Sequence, residues 1–338
     1  MATNGGNAYA SRMHTDPAAA VVWAISEGHA GMENQCLGLA ERLALPTAVL
    51  RLRPRAPWTW LPAGYWPWPL AALGPGSDRP APPWPRLVLS CGRRAVPYAL
   101  TIGRVSHRRT ALVHIQNPQA RLSAFDWVVA PEHDRLAGDN VIATLGALHR
   151  VNAVRLATAA ARFAEGLAHL PRPLVTVLLG GSSRHHRLTA AAASRLAEQL
   201  AALARQGFGL AITPSRRTGE ANLAILRERL AGSGAYLWDF RGDNPYFALL
   251  ALADIILVTE DSVTMASEAA FTGKPLFVIG LEGGGRRLAA FHSGLRQAGH
   301  ARPFAGRLEA FRPPRPLDEP GRVAALLASR LARRFVAA

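Results

Sequence analysis

The strongest chemical signal in the sequence is TEDSVTMASEA, at 259–269, where a predicted strand leads into a predicted helix. Ser262 has the residue type and position of a helix N-cap, and free N–H groups at a helix N-terminus suit a phosphate. Thr264 and Glu268 are four residues apart, so they share one face of that helix. Glu268 can accept two hydrogen bonds from ribose hydroxyls while the helix N-terminus binds a diphosphate. With Met265, which can pack on a sugar or a base, these residues predict a nucleotide site.

Helix capping alone is the alternative interpretation of this segment. An acidic residue at a helix start is favoured by the helix dipole, so capping accounts for Glu260 and Asp261. Capping does not account for Glu268, which lies too far into the helix, and this favours the functional interpretation.

Three other loops carry glycine or arginine directly after a predicted strand: GGSSRHHR at 180–187, TPSRRTGE at 213–220 and GLEGGGRR at 280–287. Glycine lets the backbone approach a ligand closely, and arginine adds charge-assisted hydrogen bonds to a phosphate. The alternative in each case is a plain loop whose arginines face solvent. The candidate ligand-contacting residues of these loops are Gly180, Gly181, Ser182, Ser183, Arg184, Thr213, Ser215, Arg216, Gly283 and Gly284.

Titratable side chains suited to proton transfer follow the first predicted strand, in SEGHAGMENQ at 26–35. Glu27 and His29 are of the types that act as general bases near neutral pH. The alternative is that both are surface residues without a role. Other residues after this strand and its neighbours are expected to face the same side of the sheet, namely Gly28, Gly31, Asn34, Gln35, Arg93, Gln116, Asn117 and His133.

Alternating strands and helices must position these residues. In both halves of the chain, short apolar runs alternate with helical windows, which is typical of βα units around a parallel sheet. Ligands of such sheets bind beyond the carboxyl ends of the strands, where the candidate residues lie. The predicted strands are 21–26, 45–52, 86–91, 110–115 and 127–130, then 173–181, 207–215, 235–240, 254–260 and 275–280.

The length of 338 residues predicts two domains, and the strand–helix pattern restarts after LPRP at 170–173. We expect a disordered leader at 1–17, an N-terminal Rossmann-like domain at 18–169 and a C-terminal Rossmann-like domain at 170–310. A C-terminal extension with a closing helix is expected at 311–338.

The net charge of +16 comes almost entirely from arginine, because Lys274 is the only lysine. Two explanations account for this net charge. One is an anionic partner, and the other is a GC-rich genome that encodes arginine wherever a cation is tolerated. The arginines are spread along the chain without a long basic run, which argues against a nucleic-acid-binding tail. Cys36 and Cys91 lie far apart in the sequence, which predicts neither a disulfide framework nor a metal cluster and fits a reducing compartment.

The longest uncharged run, 56–77, contains five prolines and is therefore not expected to span a membrane. No secretory signal pattern is recognised in the first twenty residues. Tryptophans beside arginines in this region predict instead a peripheral patch for an anionic membrane, with packing of the rings over the core as the alternative. The patch residues are Trp58, Trp60, Trp66 and Trp68, with Arg51, Arg53 and Arg55.

Six segments together resemble the mitochondrial-fission-protein-like family, bacterial proteins related to a plant mitochondrial fission factor. They are SEGHAGMENQ, HIQNP, LLGGSSRHH, ITPSRRTGE, NPYFALLALAD and TEDSVTMASEA. The second half is also similar to nucleotide-sugar transferases such as the peptidoglycan lipid N-acetylglucosaminyltransferase. That similarity implies that Gly180, Gly181 and Ser182 meet a diphosphate and that Glu268 meets the ribose.

These resemblances imply a glycosyltransferase of the GT-B type, with two Rossmann-like domains facing across a cleft and with no metal or cofactor. It would move a sugar from a nucleoside-diphosphate-sugar, expected to be of the UDP type, to a membrane-linked glycolipid, a lipopolysaccharide-type or another polysaccharide acceptor. Glu27 or His29 is the expected base if the reaction inverts. A cytoplasmic location, peripheral on the inner face of the membrane, is expected.

Two other functions follow from the same resemblances. A sugar-nucleotide epimerase can share this architecture, but it needs several acids and bases around the sugar, and the loops of the first half supply few. A non-catalytic adaptor that recruits a membrane-remodelling partner is implied by the plant relative, although an adaptor has no need of a nucleotide site. Nucleic-acid binding would depend on charge alone and is not expected.

Overall fold

The computed structural model describes residues 16–61 and 66–336 of the chain. They form two compact units, which we call the first unit (16–150 with 318–336) and the second unit (151–317). All but two residues of the leader expected at 1–17 lie outside the described residues.

The first unit contains a six-stranded parallel sheet with the strand order β2-β1-β3-β4-β5-β6. Its elements in chain order are β1 (Val22–Ser26), α1 (Ala30–Leu43), β2 (Thr47–Arg51), β3 (Leu87–Cys91), α2 (Val96–Val105), β4 (Ala111–Ile115), β5 (Trp127–Pro131) and β6 (Val141–Thr144).

The second unit contains another six-stranded parallel sheet, in the order β10-β9-β7-β11-β12-β14, and a two-stranded pair, β13-β8. Its elements are α3 (Ala153–Leu167), β7 (Leu174–Leu179), β8 (His186–Arg187), α4 (Ala190–Arg205), β9 (Gly209–Pro214), α5 (Glu220–Arg229), β10 (Tyr236–Leu237), α6 (Tyr246–Leu252), β11 (Ile255–Thr259), α7 (Val263–Phe271), β12 (Leu276–Ile279), β13 (Glu282–Gly283), α8 (Arg286–Gln297) and β14 (Ala301–Pro303).

The last helix, α9 (Glu319–Val336), belongs to the first unit rather than to a separate extension. Val323, Leu327 and Leu331 recur every four residues and are buried against the α1 side of the first sheet. Likewise α3 belongs to the second unit, because its partly buried Phe163 packs in a cluster with Leu249 of α6. The unit boundaries therefore fall after Arg150 and Leu317 instead of at 169 and 310.

Both faces of the first sheet are buried, which explains why its strands read as continuous apolar runs. Along β1, Trp23 and Ile25 point into one core cluster, while Val22 and Ala24 point into the other. Adjacent side chains of a strand alternate between faces, so each face contributes to a separate core. This arrangement confirms the predicted α/β class.

The two cysteines, distant in the sequence, are neighbours in the core of the first unit. Cys36 on α1 and Cys91 at the end of β3 are both buried, free thiols. A hydrogen bond between the two thiols, with burial, raises the pKa of Cys36 well above its usual value. Sequence separation alone gave no sign of this contact.

Four short strands were not predicted: β6, β8, β13 and β14. Each has two to four residues, which is too short for an alternating pattern to stand out. In contrast β10 is shorter than the strand predicted at 235–240. Phe240 has a left-handed backbone with φ of 66°, and the indole of Trp238 donates to the carbonyl of Arg241 at 3.1 Å, so the chain turns there.

The only lysine has a structural position that the sequence did not indicate. Lys274 Nζ donates to the carbonyl oxygens of Leu250 (2.9 Å) and Ala251 (2.5 Å), at the C-terminal end of α6. These carbonyls lack helical partners, and a compact ammonium group can meet both. Burial of the side chain lowers the pKa of Lys274 to about 8.

Candidate functional site

A pocket of about 340 Å³ lies at the carboxyl ends of β7, β9 and β10 in the second unit. This is the edge at which open parallel sheets bind ligands. Aromatic rings, hydroxyl groups and one positive charge line it, a combination that suits a nucleotide. The lining residues are Leu179, Thr213, Pro214, Ser215, Arg216, Trp238, Phe240, Asn244, Tyr246 and Met265.

Four residues predicted from the sequence meet in this pocket: Thr213, Ser215, Arg216 and Met265. Arg216 is exposed, and no described carboxylate pairs with it. Ser215 has a different role, because its Oγ donates to the carbonyl of Gly180 at 2.9 Å. This hydrogen bond holds the loop after β7 against the pocket wall.

The aromatic wall of the pocket was missed from the sequence. The rings of Trp238 and Phe240 lie 5.0 Å apart at 47°, and Phe240 is 40% exposed. Such rings offer a stacking surface to a planar base. Both residues fell within the strand predicted at 235–240. Gly242 and Pro245, which follow this segment, are the residues in the sequence that indicate an early end of the strand.

The N-terminus of α7 has the predicted cap. Ser262 Oγ accepts a hydrogen bond from the backbone N–H of Met265 at 3.3 Å. Within the described part of the chain, no group accepts from the backbone N–H of Val263 or Thr264, the first two residues of this helix. Two donors at the positive end of the helix dipole therefore remain available to an anion.

Glu268 lies behind the pocket rather than in its wall. Its carboxylate is buried and accepts the hydroxyl hydrogen bond of Tyr246 at 2.5 Å. Burial raises the pKa of Glu268 to about 7, although Tyr246 and the charge of Arg155 act in the opposite direction. Tyr246 lines the pocket, so it connects Glu268 to the ligand space.

The glycine loop after β7 is not the phosphate cradle that the sequence predicted. Each backbone N–H from Gly180 to Ser183 already donates to another group of the second unit. The acceptors are, in order, Thr259 Oγ1 at 2.7 Å, Asp261 Oδ2 at 3.2 Å, the Arg217 carbonyl at 3.1 Å and the His186 carbonyl at 2.8 Å. The tight packing of this loop on its neighbours, rather than ligand approach, explains its two glycines.

Asp261 is the buried partner of that loop. Its side chain is fully buried and forms an ion pair with Arg217 at 2.8 Å. Its second oxygen, Oδ1, has no hydrogen-bond partner among the described groups and occupies the space that a Cβ at Gly180 would need, 2.2 Å away. Capping chemistry predicted neither contact, because they depend on the loops that follow two other strands, β7 and β9.

Further along, the glycine loop after β7 pairs with the glycine loop that follows β12. In β8 and β13, His186 lies opposite Gly283 and Arg187 opposite Glu282, and Gly284 donates its N–H to the carbonyl of His185 at 2.7 Å. We call residues 182–187 and 281–285 the ribbon. It carries five predicted residues, all of them exposed: Ser182, Ser183, Arg184, Gly283 and Gly284.

In the first unit, Glu27 and His29 follow β1 as expected. Glu27 forms an ion pair with Arg94 at 3.0 Å, and the guanidinium of Arg53 donates to its backbone carbonyl at 3.2 Å. His29 precedes α1 as its N-cap residue, is exposed and makes no side-chain capping bond. The described contacts do not join Glu27 with His29.

Three of the acceptor-side candidates, Gly31, Asn34 and Gln35, lie within α1. Gln35 is buried and its amide donates to the carbonyl of Gly31 at 3.3 Å. Asn34 lies between them along the helix and is half-buried. Gly28 precedes the helix with φ of 91° and donates its N–H to Ser26 Oγ at 3.0 Å.

The other acceptor-side candidates occupy the loops after β3, β4 and β5. Arg93 donates to the side chain of Gln119 at 3.4 Å, and Asn117 accepts the backbone N–H of the same residue at 2.9 Å. Gln116 has a left-handed backbone, with φ of 80°. His133 has a buried side chain 3.8 Å from Asp134. All lie at the same edge of the first sheet.

The predicted tryptophan patch is smaller than expected. Trp66 is only 7% exposed; its indole donates to Leu61 at 3.1 Å and its ring packs edge-on against Tyr98, 5.7 Å away. Because the Trp66 ring is buried in the core, this ring is not available to a membrane. Trp60 and Trp68 are each 80% exposed.

The flanking side chains of the patch are partly engaged. Trp58 is half-buried, with its indole donating to Pro67 at 3.4 Å and Arg55 over its ring at 5.6 Å. Arg51 pairs with Glu33 at 2.8 Å. No helix within residues 16–61 and 66–336 has both the length and the apolar character required to cross a bilayer.

The same described residues contain no group of three or more His, Cys, Asp or Glu side chains arranged to hold a metal ion.

Comparison with known proteins identifies relatives along most of the chain. The model of the family described as "Mitochondrial fission ELM1" matches residues 30–331. Mitochondrial fission protein ELM1 of Arabidopsis thaliana is 32% identical over 246 residues, 66% of this chain and 58% of the relative. Uncharacterized protein RP120 of Rickettsia prowazekii is 25% identical over 232 residues, 58% of this chain and 64% of the relative. The chain thus spans less than two thirds of the length of these curated relatives.

Solved structures match over nearly the whole chain. UDP-GlcNAc 2-epimerase from Methanocaldococcus jannaschii matches with a TM-score of 0.55 and 12% identity, covering 91% of this chain and 99% of that one. Os79 from O. sativa, in complex with UDP, matches with a TM-score of 0.51 and 14% identity, covering 91% and 90%. MurG from Acinetobacter baumannii matches with a TM-score of 0.47 and 14% identity, covering 93% and 91%. The chain has the α/β GT-B fold, as predicted.

Proposed function

We propose, from the finding that the chain belongs to the mitochondrial fission ELM1 family, that it is a glycosyltransferase whose second unit binds a nucleoside-diphosphate-sugar. The observation that carries the proposal is the pocket lined by Trp238 and Tyr246 in a unit where the N-terminus of α7 keeps two free N–H donors. UDP in the Os79 structure supports the choice of nucleotide.

Each part of a nucleotide has a suitable group in this unit. The base would stack on Trp238 and Phe240, and the ribose would hydrogen-bond to Tyr246, which Glu268 holds from behind. The diphosphate would take the free N–H groups of α7 and the guanidinium of Arg216. These fixed positive groups would also stabilise the charge that develops on the leaving diphosphate.

We assign acceptor binding to the first unit. For an inverting reaction the general base would be His29 or Glu27, as the sequence suggested. Glu27 is already bound by Arg94. The ring of His29 is exposed and makes no capping hydrogen bond, so His29 is the stronger choice of general base. The nucleotide-sugar is a substrate, and the proposal includes no metal or other cofactor.

Calorimetric titration of the wild type with UDP, GDP, ADP and CMP tests the donor site, and we expect UDP to bind. Arg216→Ala is expected to weaken UDP binding by about tenfold, because a charge-assisted hydrogen bond contributes about 1.5–3 kcal/mol. Arg205→Ala is the matched control, since Arg205 is exposed at the far end of α4, on the opposite edge of the sheet.

Two outcomes would redirect the proposal. If none of the four nucleotides binds the folded protein at about millimolar concentration, the transferase loses its support, and the adaptor suggested by the name of the Arabidopsis relative becomes the better proposal. If UDP-GlcNAc is converted without any acceptor into its 2-epimer, as seen by proton NMR, the protein is an epimerase.

We further propose a membrane-linked acceptor, and with it a cytoplasmic protein peripheral to the inner face of the membrane. Trp60 and Trp68, both 80% exposed, would settle at headgroup level in an anionic membrane. Replacing both by serine is expected to lower flotation with anionic phospholipid vesicles by about tenfold, because two large apolar surfaces no longer leave water.

Val154→Ser is the control for this membrane test, because Val154 is an exposed apolar side chain of the second unit, 76% accessible. Equal flotation of the double variant and the wild type would remove the membrane patch from the proposal and leave the donor site untouched.

A further inference from the structure

The ribbon (182–187 and 281–285) stands over the end of β11. Its two arms begin after β7 and β12, which are the two neighbours of β11 in the sheet. The chain leaves β11 and enters α7 between them, so the arms of the ribbon flank the start of α7, where the free N–H donors lie. Two ladder pairs and the hydrogen bond from the Gly284 N–H to the His185 carbonyl join its arms, and a two-stranded pair is marginal in water on its own.

Glu260, the first residue after β11, contacts both arms of the ribbon. Its Oε1 accepts the backbone N–H of Leu281 at 2.7 Å and lies 3.8 Å from Nε2 of His186. The backbone carbonyl of Glu260 is 2.8 Å from Nε2 of His292 on α8. One residue at the strand end therefore touches the arm that follows β7, the arm that follows β12 and the next helix.

Helix capping does not account for these contacts. Ser262 is the N-cap of α7, and the carboxylate of Glu260 is directed to the ribbon instead. The side chain of His186 is 3% exposed beside it. His186 Nδ1 and His292 Nδ1 are buried without a hydrogen-bond partner among the described groups. Two imidazoles are thus buried around one residue, His186 beside its carboxylate and His292 beside its backbone carbonyl, at a cost in solvation that packing alone would avoid.

We propose that Glu260 is a positioning residue that fixes both arms of the ribbon over the N-terminus of α7. Donor binding therefore depends on Glu260, although Glu260 does not contact the donor. The inference rests on the proposed function for its consequence, since it assigns regulation of the same donor site. Arg184, which is exposed, belongs to the ribbon, so displacement of the ribbon also moves a positive charge.

Hydrogen exchange followed by mass spectrometry tests the position of the ribbon without any nucleotide. In Glu260→Ala, amides of 182–187 and 281–285 are expected to exchange about tenfold faster, because Leu281 loses its acceptor and the arms open locally. In Glu260→Gln, which keeps an oxygen acceptor, exchange is expected to stay within about threefold of the wild type.

UDP affinity is measured on the same variants by calorimetry. We expect about tenfold weaker binding for Glu260→Ala and rescue to within about threefold for Glu260→Gln. Glu282→Gln is the control, because it removes a negative charge from the ribbon at a residue that bonds Thr189 rather than the strand end. If the alanine variant does not fold, Glu260→Asp, one methylene too short to reach Leu281, replaces it.

Unchanged ribbon exchange in Glu260→Ala would overturn the inference, as would faster exchange with undiminished UDP affinity. Failure of the proposed function looks different. In that case the wild type binds no nucleotide, while the exchange pattern still decides whether Glu260 holds the ribbon.

Discussion

Glu268→Gln is expected to make the protein more stable above about pH 7 and, at the same time, to weaken UDP binding by about 10- to 100-fold. The carboxylate is buried, and burial raises its pKa from 4.5 to about 7. Glutamine resembles the protonated acid, since it is neutral and still offers Tyr246 an oxygen acceptor. It lacks the charge that would strengthen the hydrogen bond from Tyr246 and, through Tyr246, the contact with a ribose.

The pH dependence follows from which state binds more protons. Because the pKa of Glu268 is higher in the folded protein, the folded state holds the proton between about pH 4.5 and pH 7 while the unfolded state has released it. The stabilisation is complete below that window and is lost as the pH rises through it. Two and a half pKa units correspond to about 3 kcal/mol, so the wild type should lose about that much free energy of unfolding by pH 8.

Urea unfolding at several pH values between about 5 and 8 measures the effect as the difference between variant and wild type. The difference should grow with pH, and Glu165→Gln, an exposed glutamate of α3, should show none. A difference that does not change with pH would show that Glu268 is ionised throughout, and the account of its burial would then be wrong.

Gly181→Ala is expected to reduce the free energy of unfolding by about 3 kcal/mol or more. A Cβ at this position would lie 2.1 Å from the backbone carbonyl oxygen of Arg217, and φ is 155°. Backbone cannot rotate away as a side chain can, so the loop after β7 must move and break the bonds that Gly181 and Ser182 make. Urea unfolding and UDP calorimetry should both detect the change.

Gly166→Ala is the matched control for this glycine. Gly166 lies in α3 of the same unit, and a Cβ there would meet nothing within 4 Å. Alanine is the better helix former, so this variant is expected to gain about 0.5 kcal/mol. Equal stability of the two variants would contradict the packing described for the loop after β7.

The sequence was sufficient for the local features of the second unit. Apolar runs marked the buried strands, and Ser262 marked the start of α7, because both signals depend on residues close together in the chain. The same reasoning placed Arg216 and Met265 at the correct edge of the sheet, and they do share a pocket.

Contacts between distant segments could not be predicted in this way. The glycines at 180 and 181 looked like a phosphate loop, but their N–H groups are taken by Thr259 and Asp261, some eighty residues away. In the sequence, Trp66 does not differ from its exposed neighbours Trp60 and Trp68, because its contact with Tyr98 is not a local feature. In each case the partner that decides the role lies on another element. The periodicity of nearby residues does not indicate how far away along the sequence that partner is.

The placement of α9 in the first unit has a consequence for synthesis of the chain. Residues 151–317 are interposed between the sheet of the first unit and the helix that covers it. On the ribosome, every residue of the second unit is therefore translated before Val323 and Leu327 exist to cover α1. The first unit must wait with an apolar face uncovered, which makes it the part of the nascent chain that most needs chaperone protection.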